Sequence, residues 1–441
     1  MYRASLNAAS SLSRKVSNVV GNTRAVCLCV RNESSRAFRA ITHQDFSSQK
    51  DTSEVLRDFL RDSLYNPRYG YFAASDTPVG CLKSPLDFKT MFGREGFNQQ
   101  LRKAYDDLQV AWLTPSEIFR PHYGAALAEC ILSYHLRHSD SNEPLEIFEI
   151  GAGTGTVALD ILDHLRESNH EIYASARYTS VEISEELADR QRSKVEVFGG
   201  HAGKFKVQVG DATSKETWKK SESLCYVVAL EVLDNLPHDR VVKRPDEWCE
   251  THVLQEAEHQ PPREVLKPVK DPTISRCLEA LELDSKIQGS LLGRLVPWLE
   301  SEQPVFLPTS CLELLEALHD RRPRHCLIAA DFDALPDVVI PGKSAPLVST
   351  TRGGRAVDHP TYLVPRGSAD VFFPTDFDDL CALYGAAAAA ARTTASAEVL
   401  STHDFMRRHA RWQETTTLGG FNPLLEEFPN TKIMIASACP A

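Results

Sequence analysis

A chain of 441 residues, 42% hydrophobic and 25% charged, has an ordinary globular balance and length for one large domain or two modest ones. No apolar run approaches the ~18 residues that a membrane-spanning helix needs, and a net charge of −11 argues against a nucleic-acid binder held by phosphate contacts. The eleven cysteines are scattered without a CxxC pair, so neither a disulfide framework nor a metal site is expected, and the thiols read as reduced and mostly buried.

The charge is uneven. Residues 1–40 hold seven Arg or Lys and one acid, Glu33, for a net of +6. An Arg-rich, Ser-rich, acid-poor start is the composition of a mitochondrial or plastid transit peptide; the excess of Arg over Lys favours the mitochondrion, and the leader is assigned to residues 1–44, with import into the matrix. A basic tail on a cytosolic protein is the alternative. Residues 41–52 read as a polar linker. Val55, Leu56, Phe59, Leu60 and Leu64 then recur at helical spacing, and Asn66-Pro67 stops that helix. Residues 45–125 form a cap segment on the substrate side, in which 73–110, rich in Pro, Gly and Lys, is expected to be an irregular loop insertion.

From 126 to 441 the pattern is that of one α/β domain. Leu145–Ile150, Tyr178–Ile183, Phe205–Val209, Leu224–Leu230 and His325–Ala330 are strand-like runs, the first two followed by helices that end near Leu165 and Val197. Ser184 is placed to cap the second of these helices. This rhythm predicts a doubly wound, mostly parallel, Rossmann-like sheet with helices on both faces. A charged insertion lies near 245–310. Helical patterns follow at Ser275–Leu299 and Ser310–Asp320. A late hairpin of Tyr362–Val364 with Asp370–Phe373, a helix over Ala386–Ala391 and a last strand at Lys432–Ala436 complete the chain.

Four pieces carry the chemistry. Glu149-Ile150-Gly151-Ala152-Gly153-Thr154-Gly155 lies between a strand and a helix. Its glycines permit a tight turn and close approach of a ligand. Their GxGxG spacing departs from the dinucleotide GxGxxG and matches the S-adenosylmethionine pattern, with Glu149 in reach of the ligand's amine. Glu182 follows 31 residues after Gly151, one βαβ unit on, where a carboxylate accepts ribose hydroxyls. Gly210-Asp211 after the third strand is placed for the adenine amino group, or is a plain turn. Glu231 and Asp234, after the fourth strand, stand where reactive groups gather in such sheets; Asp234 equally suits a helix cap.

These pieces resemble the MidA-like family of mitochondrial methyltransferases. Asn66-Pro67-Arg68-Tyr69-Gly70-Tyr71-Phe72 is similar to the family's Asn-Pro…Gly-Tyr-Tyr element. Leu113 to Phe119 with Tyr123-Gly124 is similar to its Thr-Ser-Pro-Glu-Ile…Phe-Gly element, and Glu231 to Pro237 to its Asn-Glu-Phe-Phe-Asp-Ala-Leu-Pro. The family's Gly-Pro-Gly-Arg-Gly is Gly-Ala-Gly-Thr-Gly here, and its Asn before the Glu is Leu230. The resemblance implies S-adenosylmethionine as cofactor and methylation of an arginine in a core subunit of respiratory complex I, the implied protein partner. Glu231 and Asp234 would hold the guanidinium, with Pro115, Glu117 and 65–72 over the acceptor. A methyltransferase-like assembly factor without activity is the competing reading, and a nicotinamide enzyme a distant third.

Overall fold

The computed structural model describes residues 53–74, 80–108, 113–140, 143–255, 260–284, 303–352 and 355–440. The leader expected over 1–44 lies outside the described residues. Fifteen strands occur among the described residues. They are β1 (Glu54–Val55), β2 (Glu146–Ile150), β3 (Arg177–Glu182), β4 (Phe205–Val209), β5 (Cys225–Leu230), β6 (Asp239–Lys243), β7 (Trp248–Leu254) and β8 (Arg263–Pro268); then β9 (Pro304–Leu307), β10 (His325–Phe332), β11 (Leu347–Arg352), β12 (Arg355–Asp358), β13 (Asp370–Phe372), β14 (Thr393–Ser401) and β15 (Thr431–Pro440).

Seven of them form the central sheet in the order β14-β15-β10-β5-β2-β3-β4. β10, β5, β2, β3 and β4 run parallel to one another. β15 is antiparallel to both β10 and β14. The central strands β5 and β10 are mostly apolar and buried because both faces are covered, whereas the edge strand β4 alternates with polar, partly exposed residues. On one face Ile147, Tyr178, Val228 and Ile328 pack with Leu127 and Ile131 of helix α3 (His122–His138) and Ile161 of α4 (Thr156–Ser168). On the other, Phe148, Val227 and Leu327 pack with Leu315 of α7 (Thr309–Arg321) and Leu383 of α8 (Phe377–Ala391). The sheet order turns between β2 and β5, which opens a crevice at their carboxyl ends.

The insertion near 245–310 is folded among its described residues. β7 and β8 pair antiparallel and join β1, β6 and β9 in a second sheet. Helix α1 (Leu56–Tyr65) buries Leu56, Phe59, Leu60 and Leu64 here and ends at Asn66, as its spacing predicted. Arg57, 5% exposed, anchors it by ion pairs to Asp239 and, at 2.8 Å, to Asp271 at the start of α6 (Pro272–Ala280). Arg366 clasps the same helix through Asp62 at 2.8 Å and the preceding β1 through Glu54.

Three expectations need correction. The stretch 73–110 is not one irregular loop: Gly93–Leu108 is a sixteen-residue helix, α2, whose Phe97 and Leu101 are fully buried beside Phe88 and Phe119. Two glycines and a polar run hid its one apolar stripe. Tyr362–Val364 does not pair with Asp370–Phe373; β13 pairs with β11, and Tyr362 is buried against Phe306 instead. β14 was not anticipated, because its Thr, Ser and Ala side chains are mostly exposed and show no apolar alternation. Along the second crossover, α5 (Glu185–Gln191) gives way to a π-turn over Arg192–Phe198, so the helical stretch reaches one residue past the expected end.

Candidate cofactor and acceptor pocket

The crevice at the strand ends holds a cavity of ≈ 200 Å³, lined by Gly151, Gly153, Glu182, Asp211, Glu231 and Asp234 among others. Six of the eight residues singled out in the sequence therefore share one cavity. Gly155 and Glu149 do not line it.

The glycine loop explains the difference. Gly151, Gly153 and Gly155 have φ of +63°, +52° and +78°, where side chains are disfavoured. A Cβ on Gly153 would meet nothing within 4 Å, so its face is open for a ligand to lie against. A Cβ on Gly155 would approach Val195 Cγ2 at 3.2 Å and Gln191 Cα at 3.4 Å, so that glycine serves helix packing. Glu149 points to the opposite face of β2, where it accepts a hydrogen bond from Tyr178 Oη at 2.8 Å. Burial pushes its carboxyl up to about 7, against the pull of that hydrogen bond. It supports the sheet beneath the loop instead of lining the cavity.

Glu182 ends β3, 3% exposed. Oε1 accepts from the Ser184 amide at 3.0 Å, and Oε2 from Gln191 Nε2 at 2.9 Å. Burial raises its carboxyl above the usual range while these donors oppose the shift. Each oxygen keeps a lone pair for a further donor. Gln191 also donates to the Gly153 carbonyl at 2.9 Å, tying the loop to the acid. Ser184 caps α5 by accepting from the Leu187 amide, as expected. Asp211 Oδ1 accepts from the Thr213 amide and hydroxyl, both at 2.8 Å, which holds the turn after β4. An open glycine face beside a buried, half-satisfied carboxylate fits the amino-acid and ribose parts of S-adenosylmethionine.

The other end of the cavity is acidic. Glu231 follows β5 with φ +52°, a strained position for a side-chain-bearing residue. Its amide donates to the Ala330 carbonyl at 2.9 Å. No hydrogen-bond partner of its carboxylate is found among the described residues, and burial, then Asp331, pushes that group up to about 8. Asp234 sits in the short turn Leu233–Asn235, 1% exposed. Its amide donates to Asp331 Oδ2 at 3.1 Å, and its own Oδ1 has no partner. Burial, then Asp331, Asp370 and Glu231, raises its carboxyl well above the usual range. Asp331 at the end of β10 and Asp370 at the start of β13 are each pushed to about 7 by burial.

Sequence reasoning missed Asp331, Asp370, Gln191 and Arg61. Asp331 carries the same signal as Glu182, an acid closing an apolar strand. Arg61 lies on the predicted α1 and also lines the cavity. Asp370 and Gln191 had no local signal. Of the proposed cover, Pro115, Tyr65 and Phe72 line the cavity, with Leu113 and Thr114 beside them. Glu117 turns away, accepting from the Leu82 amide at 2.7 Å and from Thr156.

A family model described as "Putative S-adenosyl-L-methionine-dependent methyltransferase" matches residues 126–395, more than half of the chain. The chain belongs to this MidA-like methyltransferase family. Its cofactor is S-adenosylmethionine. A curated relative from Schizosaccharomyces pombe, "Protein arginine methyltransferase NDUFAF7 homolog, mitochondrial", is 24% identical over 208 residues, 45% of this chain. The chain spans 43% of that relative's length. A COG1565 superfamily protein from Burkholderia thailandensis, solved bound to S-adenosyl-homocysteine, superposes with a TM-score of 0.57 at 16% identity, covering 87% of this chain and 88% of its own. A second COG1565 structure from the same organism gives 0.54 at 16% identity, covering 87% of each chain. These two share the fold of this chain. Among the described residues no cluster of His, Cys, Asp or Glu suits a metal ion, and no helix is long and apolar enough to cross a membrane.

Proposed function

We propose that this methyltransferase N-methylates an arginine side chain of a protein in the mitochondrial matrix. The observation that carries the reading is Glu231: a strained backbone aims an unpartnered carboxylate into the cavity, with Asp234, Asp331 and Asp370 around it. Burying so much acid without cations is costly unless a cationic ligand completes the site. The printed name of the fission-yeast relative and the basic residues 1–40 support the arginine acceptor and the mitochondrial location. A complex I core subunit is the client that the family resemblance implies.

The bound cofactor supplies an activated methyl group on a sulfonium. Gly151 and Gly153 would let the backbone lie against it, and Glu182 would accept hydrogen bonds from its ribose. Glu231 and Asp234 orient the acceptor guanidinium, which is planar and always charged, by paired charge-assisted hydrogen bonds. Rate is gained mainly from this positioning and from exclusion of water. Transfer would break the sulfonium S–CH3 bond as the N–C bond forms, sulfur leaving as a neutral thioether, and the Glu231 carboxylate, with its raised proton affinity, would receive the proton that the acceptor nitrogen sheds.

The test is titration of S-adenosylmethionine into the protein lacking residues 1–44, followed by incubation with tritiated cofactor and a mitochondrial extract. Label on arginine of a matrix protein is the expected result. Cofactor binding without label on any protein arginine overturns the arginine reading and favours the inactive assembly factor.

A further inference from the structure

We infer that Asp370 is a second acceptor-facing carboxylate, a specificity-determining residue that works with Glu231 to select a planar guanidinium over neutral or ammonium acceptors. The inference rests on the arginine reading above and deepens it.

Asp370 belongs to the third sheet, β12-β11-β13, not to the strands that carry the glycine loop. Yet it lines the same cavity as Glu231, Asp234 and Gly153. Its place there is built. Asn235 Nδ2 donates to Asp370 Oδ1 at 2.9 Å. The Phe373 amide donates to the Asp234 carbonyl at 2.8 Å, so the strand after Asp370 is sutured to the turn that bears Asp234. Tyr65 Oη donates to the Asn235 carbonyl at 2.9 Å, which ties the same turn to α1. Asn235 thus joins Asp370 to Tyr65 and fixes Asp370 against the acidic end.

Charge then narrows the ligand. Among the described lining residues Arg61 is the cation, and it is engaged by Glu313 at 2.7 Å. The acids at this end of the cavity therefore lack a counterion. A hydroxyl or a carboxamide brings no charge to offset them. An ammonium brings a compact charge without a planar fork. A guanidinium brings five N–H donors in one plane and can bridge carboxylates on two walls. Glu231 comes from the end of the central sheet and Asp370 from the third sheet, so the two acids stand on separate structural units.

The experiment titrates Nα-acetyl-arginine amide, Nα-acetyl-lysine amide and Nα-acetyl-citrulline amide into the full-length protein saturated with S-adenosyl-homocysteine. The variants are Asp370→Asn, Asp370→Glu and Glu231→Gln. Saturable binding of the arginine amide is expected, at least about tenfold tighter than the lysine amide and with no saturation by the citrulline amide. Asp370→Asn should weaken arginine binding at least about tenfold, leave S-adenosyl-homocysteine affinity unchanged, and be partly rescued by Asp370→Glu. Wild-type affinity in Asp370→Asn, with loss in Glu231→Gln, overturns this inference and leaves the arginine reading standing. Equal binding of lysine and arginine amides also overturns it. Equal binding of citrulline and arginine amides, or no binding of the arginine amide, brings down the arginine reading itself.

Discussion

Gln191 Nε2 lies 2.9 Å from Glu182 Oε2, and the same nitrogen lies 2.9 Å from the Gly153 carbonyl. One buried amide thus couples the ribose-side acid to the loop on which the cofactor's amino-acid end would rest. Gln191→Ala should weaken S-adenosyl-homocysteine binding about tenfold, the usual loss for a hydrogen bond to a charged group. Isothermal titration measures it. Unchanged affinity would show that Glu182 and the loop hold their positions without the amide.

Gly153 and Gly155 share a backbone conformation and differ in what surrounds them. Gly153→Val should abolish measurable cofactor binding, because its side chain would project into open space beside the cavity. Gly155→Val should instead lower the melting temperature, because its side chain would press on Val195 and Gln191. Paired melts and titrations separate the two. Equal loss of binding and stability in both variants would contradict the division.

Glu231→Gln keeps shape and removes charge. We expect at least tenfold slower turnover, about 1.4 kcal/mol in the barrier, with cofactor affinity unchanged. Single-turnover transfer from tritiated cofactor reads this directly. Wild-type turnover would remove Glu231 from the reaction.

The acidic end sets the pH response. Glu231 is pushed up to about 8, and Asp331 and Asp370 to about 7, mainly by burial. For these acids the folded state binds protons more tightly than the unfolded state. Their contribution to stability is complete below the unfolded pKa of about 4. It is lost as pH rises through 7 and 8. The melting temperature of the ligand-free protein should therefore fall from pH 6 to pH 8.5, by a few degrees, and less so in Glu231→Gln. Acceptor affinity should rise over the same interval, since the cation binds the ionised form. A flat melting profile, or affinity falling with pH, would count against the uncompensated cluster.

Much of this was legible in the sequence, for a physical reason. Parallel strands buried on both faces are dense apolar runs, and the residue closing each run falls at the carboxyl edge where ligands bind. Glu182, Glu231 and the glycine loop could be placed on that logic alone. Glu149 does not line the cavity because the pleat alternates: one residue earlier than Ile150, it faces the other side of the sheet. Asp370 was invisible because its role depends on β13 meeting the 233–235 turn across more than a hundred residues. β14 escaped because an exposed edge strand has no apolar face to show.

The Arg366 clasp bears on how the chain folds. Its ion pairs to Asp62 and Glu54 close loops of 304 and 312 residues. The glycine loop, Glu182 and Gln191 lie within about forty residues of one another. Contacts near in sequence form early, whereas those that close long loops wait on the rest of the chain. During synthesis the cofactor cradle can therefore take shape well before the acceptor wall, which needs both α1 and the late segment around Arg366 and Asp370. A nascent or partly unfolded chain would then gain the means to bind cofactor before the means to choose what is methylated.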